Sequence, residues 1–150
     1  MGSVICCVDG SDGARSALHV AGRLSERLDL EFVLLHVQPP TEAPGVSAAP
    51  AGQQRLHEAE MHDAVELLAR IARDHGLGPD VRRRAEVGPA ADSILAVCAE
   101  ERAEFVVLGS RGRGGLKAAL LGSVSAEVAA HAPCPCVIVP PDAGERTFLA

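Results

Sequence analysis

The chain has 150 residues, a hydrophobic fraction of 47% and a formal net charge of −6, which together indicate one acidic globular domain over 1–150. No apolar run approaches the ~20 residues that a membrane-spanning helix needs, and no leader peptide is signalled, so we expect a cytoplasmic protein that does not contact a membrane. The acidic charge argues against a nucleic-acid-binding protein, which would show a basic face.

Short apolar runs, typical of buried strands, alternate with stretches of helical periodicity. The predicted strands are Val4–Val8, Glu31–Val37, Val81–Val87, Phe105–Leu108 and Cys136–Val139. In the long helix predicted over Gln53–His75, one face is expected to carry Leu56, Met61, Val65, Leu68 and Ile71. Residues 39–52, rich in Pro, Ala and Gly, are expected to form a long mobile connection, and 141–150 a C-terminal tail.

Strands that alternate with helices predict right-handed crossovers and a parallel sheet covered by helices on both faces, an α/β fold in three layers. The sequence contains no internal repeat and no second domain. Ligands bind such open sheets at the carboxyl ends of the strands, where the strand order reverses. We interpret the basic run Arg82–Arg84 as charge that keeps an edge strand from pairing with other chains.

The segment LGSRGRGGLKAALLGSVS, Leu108–Ser125, follows the fourth predicted strand and is rich in glycine and cations. It is not a Walker A loop, because Gly115 stands where that motif needs lysine. It is not the dinucleotide-binding loop either, because Lys117 stands where the third glycine belongs and the loop does not follow the first strand. What remains is a pair of glycines, Gly109 and Gly112, followed by Gly122-Ser123.

This spacing suits a phosphate chain. Gly109 and Gly112 let backbone amides approach a bulky anion without an intervening Cβ. Gly122 and Ser123 open the last predicted helix, whose unpaired N–H groups and positive dipole end favour an anion. We expect the Ser123 hydroxyl to act as the helix N-cap in the empty site and as a phosphate donor in the filled one. Positive charge comes from Arg111, Arg113 and Lys117.

Two further loops contribute polar groups at the same edge. Asp9 ends the first strand, where its carboxylate can accept hydrogen bonds from a ribose or from the amino group of adenine. After the second strand, main-chain groups around Val37 can pair with an adenine edge while Gln38 and Pro39 turn the chain.

Together the segments CVDGSDGARSAL, LLHVQPP and VVLGSRGRGGLKAALLGSVSAEVAAHAPCPCVIVP, with the spacing G-x2-G-x9-G-S, resemble the universal stress protein family in its ATP-binding branch. The resemblance covers nearly the whole chain. It implies a Rossmann-like αβα sandwich with a five-stranded parallel sheet in order 3-2-1-4-5. It further implies ATP, with or without Mg²⁺, across the carboxyl edge, and a homodimer in which Cys136–Val139 pairs antiparallel with its mate.

The same resemblance assigns roles to individual residues. Asp9 contacts the adenosine, and Val37 meets the adenine through its backbone. The residues that line the site are Leu108, Gly109 and Gly112, and those that hold the phosphates are Gly122, Ser123, Val124 and Ser125. Phosphate contacts from Arg111 and Arg113, in variable positions of the motif, are our own inference from their charge.

A nucleotide-dependent regulatory module of the stress response is the function that this resemblance implies. Phosphoryl transfer needs an oriented nucleophile, a metal clamp and charge neutralisation, and we see no second acidic residue predictably placed beside the phosphates. His131 is expected to pack with Val124 and Val128 rather than act in chemistry. A slow ATPase or phosphotransferase stays open as an alternative.

Five cysteines are present, and none forms a C-x-x-C pair. We expect them to be small buried apolar side chains, since free cysteine is among the most buried residue types. Cys7 lies near the nucleotide side. A thiol-dependent interaction through Cys134 and Cys136 is the third functional alternative.

Overall fold

The computed structural model describes residues 1–11, 13–42, 49–110 and 121–141. Five strands and four helices alternate in it: β1 (Ser3–Cys7), α1 (Gly13–Leu28), β2 (Glu31–Gln38), α2 (Pro50–Asp74), β3 (Arg82–Val87), α3 (Ala90–Glu100), β4 (Ala103–Gly109), α4 (Ser123–His131) and β5 (Cys136–Val139). Over these ranges no helix is both long enough and apolar enough to cross a bilayer.

All described strand pairs are parallel, and the sheet has the order β3-β2-β1-β4-β5. The predicted α/β architecture and strand order are therefore confirmed. β1 lies at the centre, because the chain first moves outward through β2 and β3 and then crosses back to β4 on the other side of β1. This reversal opens a crevice at the carboxyl ends of β1 and β4, where open sheets of this class bind ligands.

Alternate strand residues feed two separate cores, one on each face of the sheet. Val4 and Leu34 pack with α1 and α2 on one face. Ile5 and Val33 pack with α3 and α4 on the other. Both faces of the central strands are buried, which explains why β1 and β2 read as unbroken apolar runs rather than as alternating ones.

The edge strand β3 carries the basic run, as predicted. Arg82 and Arg84 engage carboxylates of the neighbouring strand, of β3 itself and of the end of α3. The partners are Glu31, Glu86, Glu100 and Glu101. These ion pairs neutralise a strand that the sequence left strongly positive, and they fasten the edge of the sheet to α3.

Two predictions about α2 are wrong in detail. The helix begins at Pro50 rather than Gln53, so the last part of the predicted connection 39–52 is helical, with proline at the start of the helix, where its missing N–H costs nothing. Val65, expected in the core, is 49% exposed. Residues 43–48 of the connection, and 142–150 of the predicted tail, lie outside the described residues.

The buried stripe of α2 is turned by one residue from the predicted one. It consists of Gly52, Glu60, Ala64, Leu67, Leu68 and Ile71. The stripe includes the small residues Gly52 and Ala64, whereas Val65 on the adjoining face is exposed.

Candidate functional site

The carboxyl ends of β1, β2 and β4 converge on one edge of the sheet and bring most of the predicted site residues together. Asp9 follows β1, Val37 lies near the end of β2, and Leu108 and Gly109 end β4. The first turn of α4, over 122–125, follows the glycine-rich loop at the same edge. Arg111 and Gly112 fall on positions outside the described residues.

Asp9 lies in a tight turn at the end of β1. Its Oδ1 accepts a hydrogen bond from the Ser11 N–H at 2.9 Å, and Gly10 between them has φ 81°, a left-handed conformation that favours glycine. The carboxylate is half-buried. The turn therefore fixes one carboxylate oxygen while the group stays at the sheet edge.

The end of β2 contains a buried histidine that the sequence analysis did not single out. His36 is 4% exposed, and its Nδ1 donates to the carbonyl oxygen of Val8 at 2.7 Å. Its Nε2 lies 3.2 Å from the side-chain oxygen Oε1 of Gln38. A polar residue inside the apolar run FVLLHV was the available signal.

The N-cap of α4 is Gly122, with φ −62° and ψ 156°, and no side chain caps the helix. The prediction that Ser123 is the N-cap is wrong: Ser123 is the first helical residue, and its side chain is exposed. The first helical bond runs from the Ala126 N–H to the Gly122 carbonyl at 2.9 Å. The amides of Ser123, Val124 and Ser125 precede that bond, and such amides have no partner within the helix.

The two ends of the glycine-rich loop are held together below the site. The Gly122 N–H donates to the Ser110 carbonyl at 2.9 Å, and the Ser110 N–H donates to the Val139 carbonyl at 2.9 Å. One turn further, Ser125 Oγ donates to the Gly109 carbonyl at 2.7 Å. The start of α4 is thereby tied to β4 and β5, independently of the course of the loop.

A second buried polar residue anchors the chain after β2. Glu60 of α2 is 6% exposed, and its Oε1 accepts a hydrogen bond from the Thr41 N–H at 2.5 Å. This contact holds the segment that leaves β2 against α2. The sequence signal was a glutamate on the same helical stripe as Ala64 and Leu68.

Four of the five cysteines lie on the α3/α4 face of the sheet: Cys7, Cys98, Cys134 and Cys136. Burial raises the pKa of the Cys98 thiol to about 12 and also raises the pKa of Cys7. All five thiols are unpaired by disulfides. Within the described ranges, no three metal-ligating side chains are grouped as a metal ion requires.

His131 is exposed at the end of α4, and the prediction that it packs with Val124 and Val128 is wrong. Its Nδ1 donates to the Glu127 carbonyl at 3.1 Å. The helix presents Ser125 and Val128 to the core instead. The ring lies at the carboxyl end of α4, away from the site at the other end of that helix.

A family model described as the universal stress protein family matches residues 1–140. A universal stress protein of Thermus aquaticus is 30% identical over 142 residues, which cover 91% of this chain and 97% of that protein. Among solved structures, UspA of Lactobacillus plantarum superposes with a TM-score of 0.73 at 22% identity, covering 91% of this chain and 97% of its own.

Two other similar structures are described with a nucleotide. A universal stress protein in complex with cAMP has a TM-score of 0.60 and 23% identity, covering 92% of this chain and 96% of its own. A family member from Arabidopsis thaliana with AMP bound has a TM-score of 0.60 and 21% identity, covering 99% and 97%. At these identities the likeness establishes a shared fold.

Proposed function

The chain belongs to the universal stress protein family, and on that premise we propose that it is a regulatory module that binds ATP at the carboxyl edge of the sheet. The observation that carries the proposal is the meeting of hydrogen-bond donors at this edge. The amides of Ser123, Val124 and Ser125 have no partner within the helix, and α4 begins beside the end of β4, at the edge of the sheet where β1 and β2 also end. Such amides, with the positive end of the helix dipole, favour a phosphate chain.

The phosphates are assigned to the glycine-rich loop and the first turn of α4. The amides of Ser123, Val124 and Ser125 are the donors, because the Gly122 N–H and the Ser125 hydroxyl already bond to β4 and the residue after it. Gly122 contributes room for the anion, since it carries no Cβ. Gly109, Arg111 and Gly112 complete the phosphate-binding part of the proposal.

The adenosine is assigned to the ends of β1 and β2. Asp9, held by its turn, accepts hydrogen bonds from the ribose. The main chain of Val37 pairs with the adenine edge, and Leu108 lines the site below the base. Structural neighbours that hold cAMP and AMP support an adenine nucleotide as the ligand class. The choice of ATP rests on the resemblance of the spacing G-x2-G-x9-G-S to the ATP-binding branch of the family.

The proposed role is regulation rather than catalysis. Asp9 provides a carboxylate at the end of β1. Among the described residues, no cluster of metal ligands joins it there. Mg²⁺ would therefore arrive with the phosphates of ATP. The unpaired cysteines fit a reducing compartment, and the proposal places the module in the cytoplasm.

A homodimer through β5 is part of the proposal. β5 is the edge strand of the sheet opposite β3, and its residues Cys136, Val137 and Ile138 are only half-buried. An apolar edge strand exposes main-chain groups that invite pairing with another chain. Antiparallel pairing with a second copy of β5 would cover it.

The proposal is tested by identifying and measuring the ligand. The chain contains no Trp and no Tyr, so a co-purified nucleotide would dominate the ultraviolet spectrum near 260 nm, and mass spectrometry of the released ligand would name it. Calorimetry with ATP and Mg²⁺ gives the affinity. A clean protein that binds no adenine nucleotide would contradict the proposal.

Gly122→Glu is the matched variant for the position of the phosphates. The negative side chain should crowd and repel them and reduce ATP affinity at least ~10-fold. Gly122→Ala is the comparison variant: the φ of −62° admits a Cβ without backbone strain, so its loss of affinity measures the room that the anion needs, and the further loss in Gly122→Glu measures the effect of the charge. If Gly122→Glu binds ATP as tightly as the wild type, the phosphates lie elsewhere.

Steady phosphate release at ordinary enzyme rates of ~1–1000 s⁻¹ would favour an enzyme.

A further inference from the structure

The parallel ladder between β1 and β2 stops one rung early at the candidate site. The Val8 N–H donates to the Leu35 carbonyl at 2.9 Å, so Leu35 and, two residues later, Val37 turn their main-chain groups toward β1. The regular next bond would run from the Val37 N–H to the Val8 carbonyl. Among the described residues that bond is not formed.

The imidazole of His36 replaces the Val37 N–H as the hydrogen-bond partner of the Val8 carbonyl. Its Nδ1 lies 2.7 Å from the Val8 carbonyl oxygen. A carbonyl oxygen only accepts hydrogen bonds, so this nitrogen carries the proton and the ring is fixed as the Nδ1–H tautomer. The side-chain oxygen Oε1 of Gln38 lies 3.2 Å from the His36 Nε2. Because the unprotonated Nε2 needs a donor, we assign the Gln38 amide the turned orientation, in which its nitrogen takes the place of that oxygen. In this orientation both ring nitrogens have a partner inside the protein.

We propose that His36 is a positioning residue for adenine recognition: by occupying the Val8 carbonyl it leaves the Val37 N–H free to donate to the base. This inference rests on the proposed function and deepens it. Adenine presents an acceptor, N1, beside the donor of its amino group. The N–H and carbonyl of Val37 face the same side of β2, so an adenine edge can extend the sheet where β1 has ended.

Loss of the imidazole would close the ladder over the site. Without a donor at position 36, the buried Val8 carbonyl would lack a partner, and an unpaired buried carbonyl is costly. The Val37 N–H is the nearest main-chain group that can satisfy it. The donor for adenine would then be used within the sheet. The phosphate-binding amides at the start of α4 would be unaffected.

Three substitutions separate the position of the donor from the rest of the side chain. His36→Asn keeps an N–H at the place of Nδ1, His36→Gln moves the amide to the place of Nε2, and His36→Phe removes it. The readout is the ratio of affinities for ATP and ITP, because hypoxanthine carries a proton on N1 and reverses the pattern that Val37 reads. General damage to the fold would weaken both nucleotides equally and leave the ratio unchanged.

We expect the ATP-to-ITP ratio to fall about tenfold in His36→Phe and His36→Gln, the value of roughly one hydrogen bond, and to be retained in His36→Asn. A second readout needs no nucleotide: amide hydrogen exchange at Val37 in the ligand-free protein should be fast in the wild type and slowed in His36→Phe. Unfolding in urea verifies that each variant is folded.

The outcomes distinguish the two proposals. If the wild type does not bind ATP, the proposed function fails, while the exchange of the Val37 amide still decides the role of His36. If the wild type prefers ATP and His36→Phe keeps that preference, the positioning role is wrong and nucleotide binding stands. Equal exchange at Val37 in the two proteins would also overturn it.

Discussion

The hydroxyl of Ser125 donates to the carbonyl oxygen of Gly109 across 2.7 Å and joins the first turn of α4 to the end of β4. Ser125 is 5% exposed, so the bond is shielded from water. Family resemblance assigns Ser125 to the phosphates, and this contact assigns the hydroxyl a structural partner. The amide of Ser125 is then the group left for an anion.

Replacement of this serine separates the two roles. We predict that Ser125→Ala lowers the free energy of unfolding by about 1–2 kcal/mol, because a buried carbonyl loses its partner, and changes ATP affinity less than about twofold. Ser123→Ala, at an exposed position, should leave stability within about 0.5 kcal/mol. Urea unfolding and calorimetry on both variants give the comparison. A large loss of ATP affinity in Ser125→Ala at unchanged stability would mean that the hydroxyl turns to the phosphates.

Local sequence signals predicted the sheet well. The bounds of β5 are those expected, Cys136–Val139, because an apolar, β-branched run is bounded by Pro135 and Pro140. The strand order followed from resemblance, and the edge position of β3 agrees with the charge of Arg82–Arg84. For the bounds of β5 and the edge position of β3, the information lies within a few consecutive residues.

Contacts between segments that are distant in the sequence were harder to predict. His36 and Glu60 are polar residues on buried surfaces, and their partners, Val8 and Thr41, come near only after the sheet and α2 have packed. The N-cap of α4 was misplaced by one residue because both glycine and serine favour that position. The sequence could place the candidate site residues at one edge of the sheet, but not the partners of their hydrogen-bond donors.

The thiols provide a prediction about chemical reactivity. Burial raises the pKa of Cys98 to about 12 and also raises the pKa values of Cys134 and Cys136. Since the thiolate is the reactive form, alkylation of these cysteines at neutral pH should be slower than alkylation of a cysteine in an unfolded peptide. At pH values below the pKa, the rate should rise about tenfold per pH unit. Cys6 and Cys98, both fully buried, should react last.

Iodoacetamide labelling followed by peptide mass spectrometry gives the rate for each cysteine, and labelling in denaturant is the control in which all should react alike. Rapid modification of Cys98 in the folded protein would contradict the burial seen here. Fast reaction confined to Cys134 and Cys136 would instead favour the thiol-dependent alternative.

The ion pairs at the edge of the sheet predict a dependence of stability on pH. Burial alone would raise the pKa of Glu101, but hydrogen bonds from Arg82 and Arg84 outweigh it and hold the pKa below the ordinary value of 4.5. A carboxylate with a lowered pKa stabilises the fold above its unfolded pKa, and this contribution is lost as the pH falls through the folded value.

We therefore expect Glu101→Gln to lower the free energy of unfolding by about 1 kcal/mol near neutral pH. The difference from the wild type should shrink below about pH 4. Urea unfolding over a series of pH values measures it. Glu26→Gln, at an exposed position of α1, is the control and should show no such trend. A difference that persists unchanged into acid would mean that the charge of Glu101 is not what matters.

The free edge of β5 allows a direct test of the proposed dimer. The Val106 N–H donates to the Pro135 carbonyl and the Ser110 N–H to the Val139 carbonyl, so alternate residues of β5 face β4. The main-chain groups of Ile138 then point to the free edge. Proline at this position removes an N–H that the sheet itself does not use, which edge strands tolerate.

We predict that Ile138→Pro is monomeric and that Ile138→Ala, which loses side-chain volume but keeps the N–H, stays dimeric. Light scattering after size exclusion gives the masses, and calorimetry with ATP should find binding in both variants, because the nucleotide is assigned to the opposite side of β4. A dimeric Ile138→Pro would move the interface away from β5. A monomeric wild type would remove the dimer from the proposal and leave the nucleotide site unaffected.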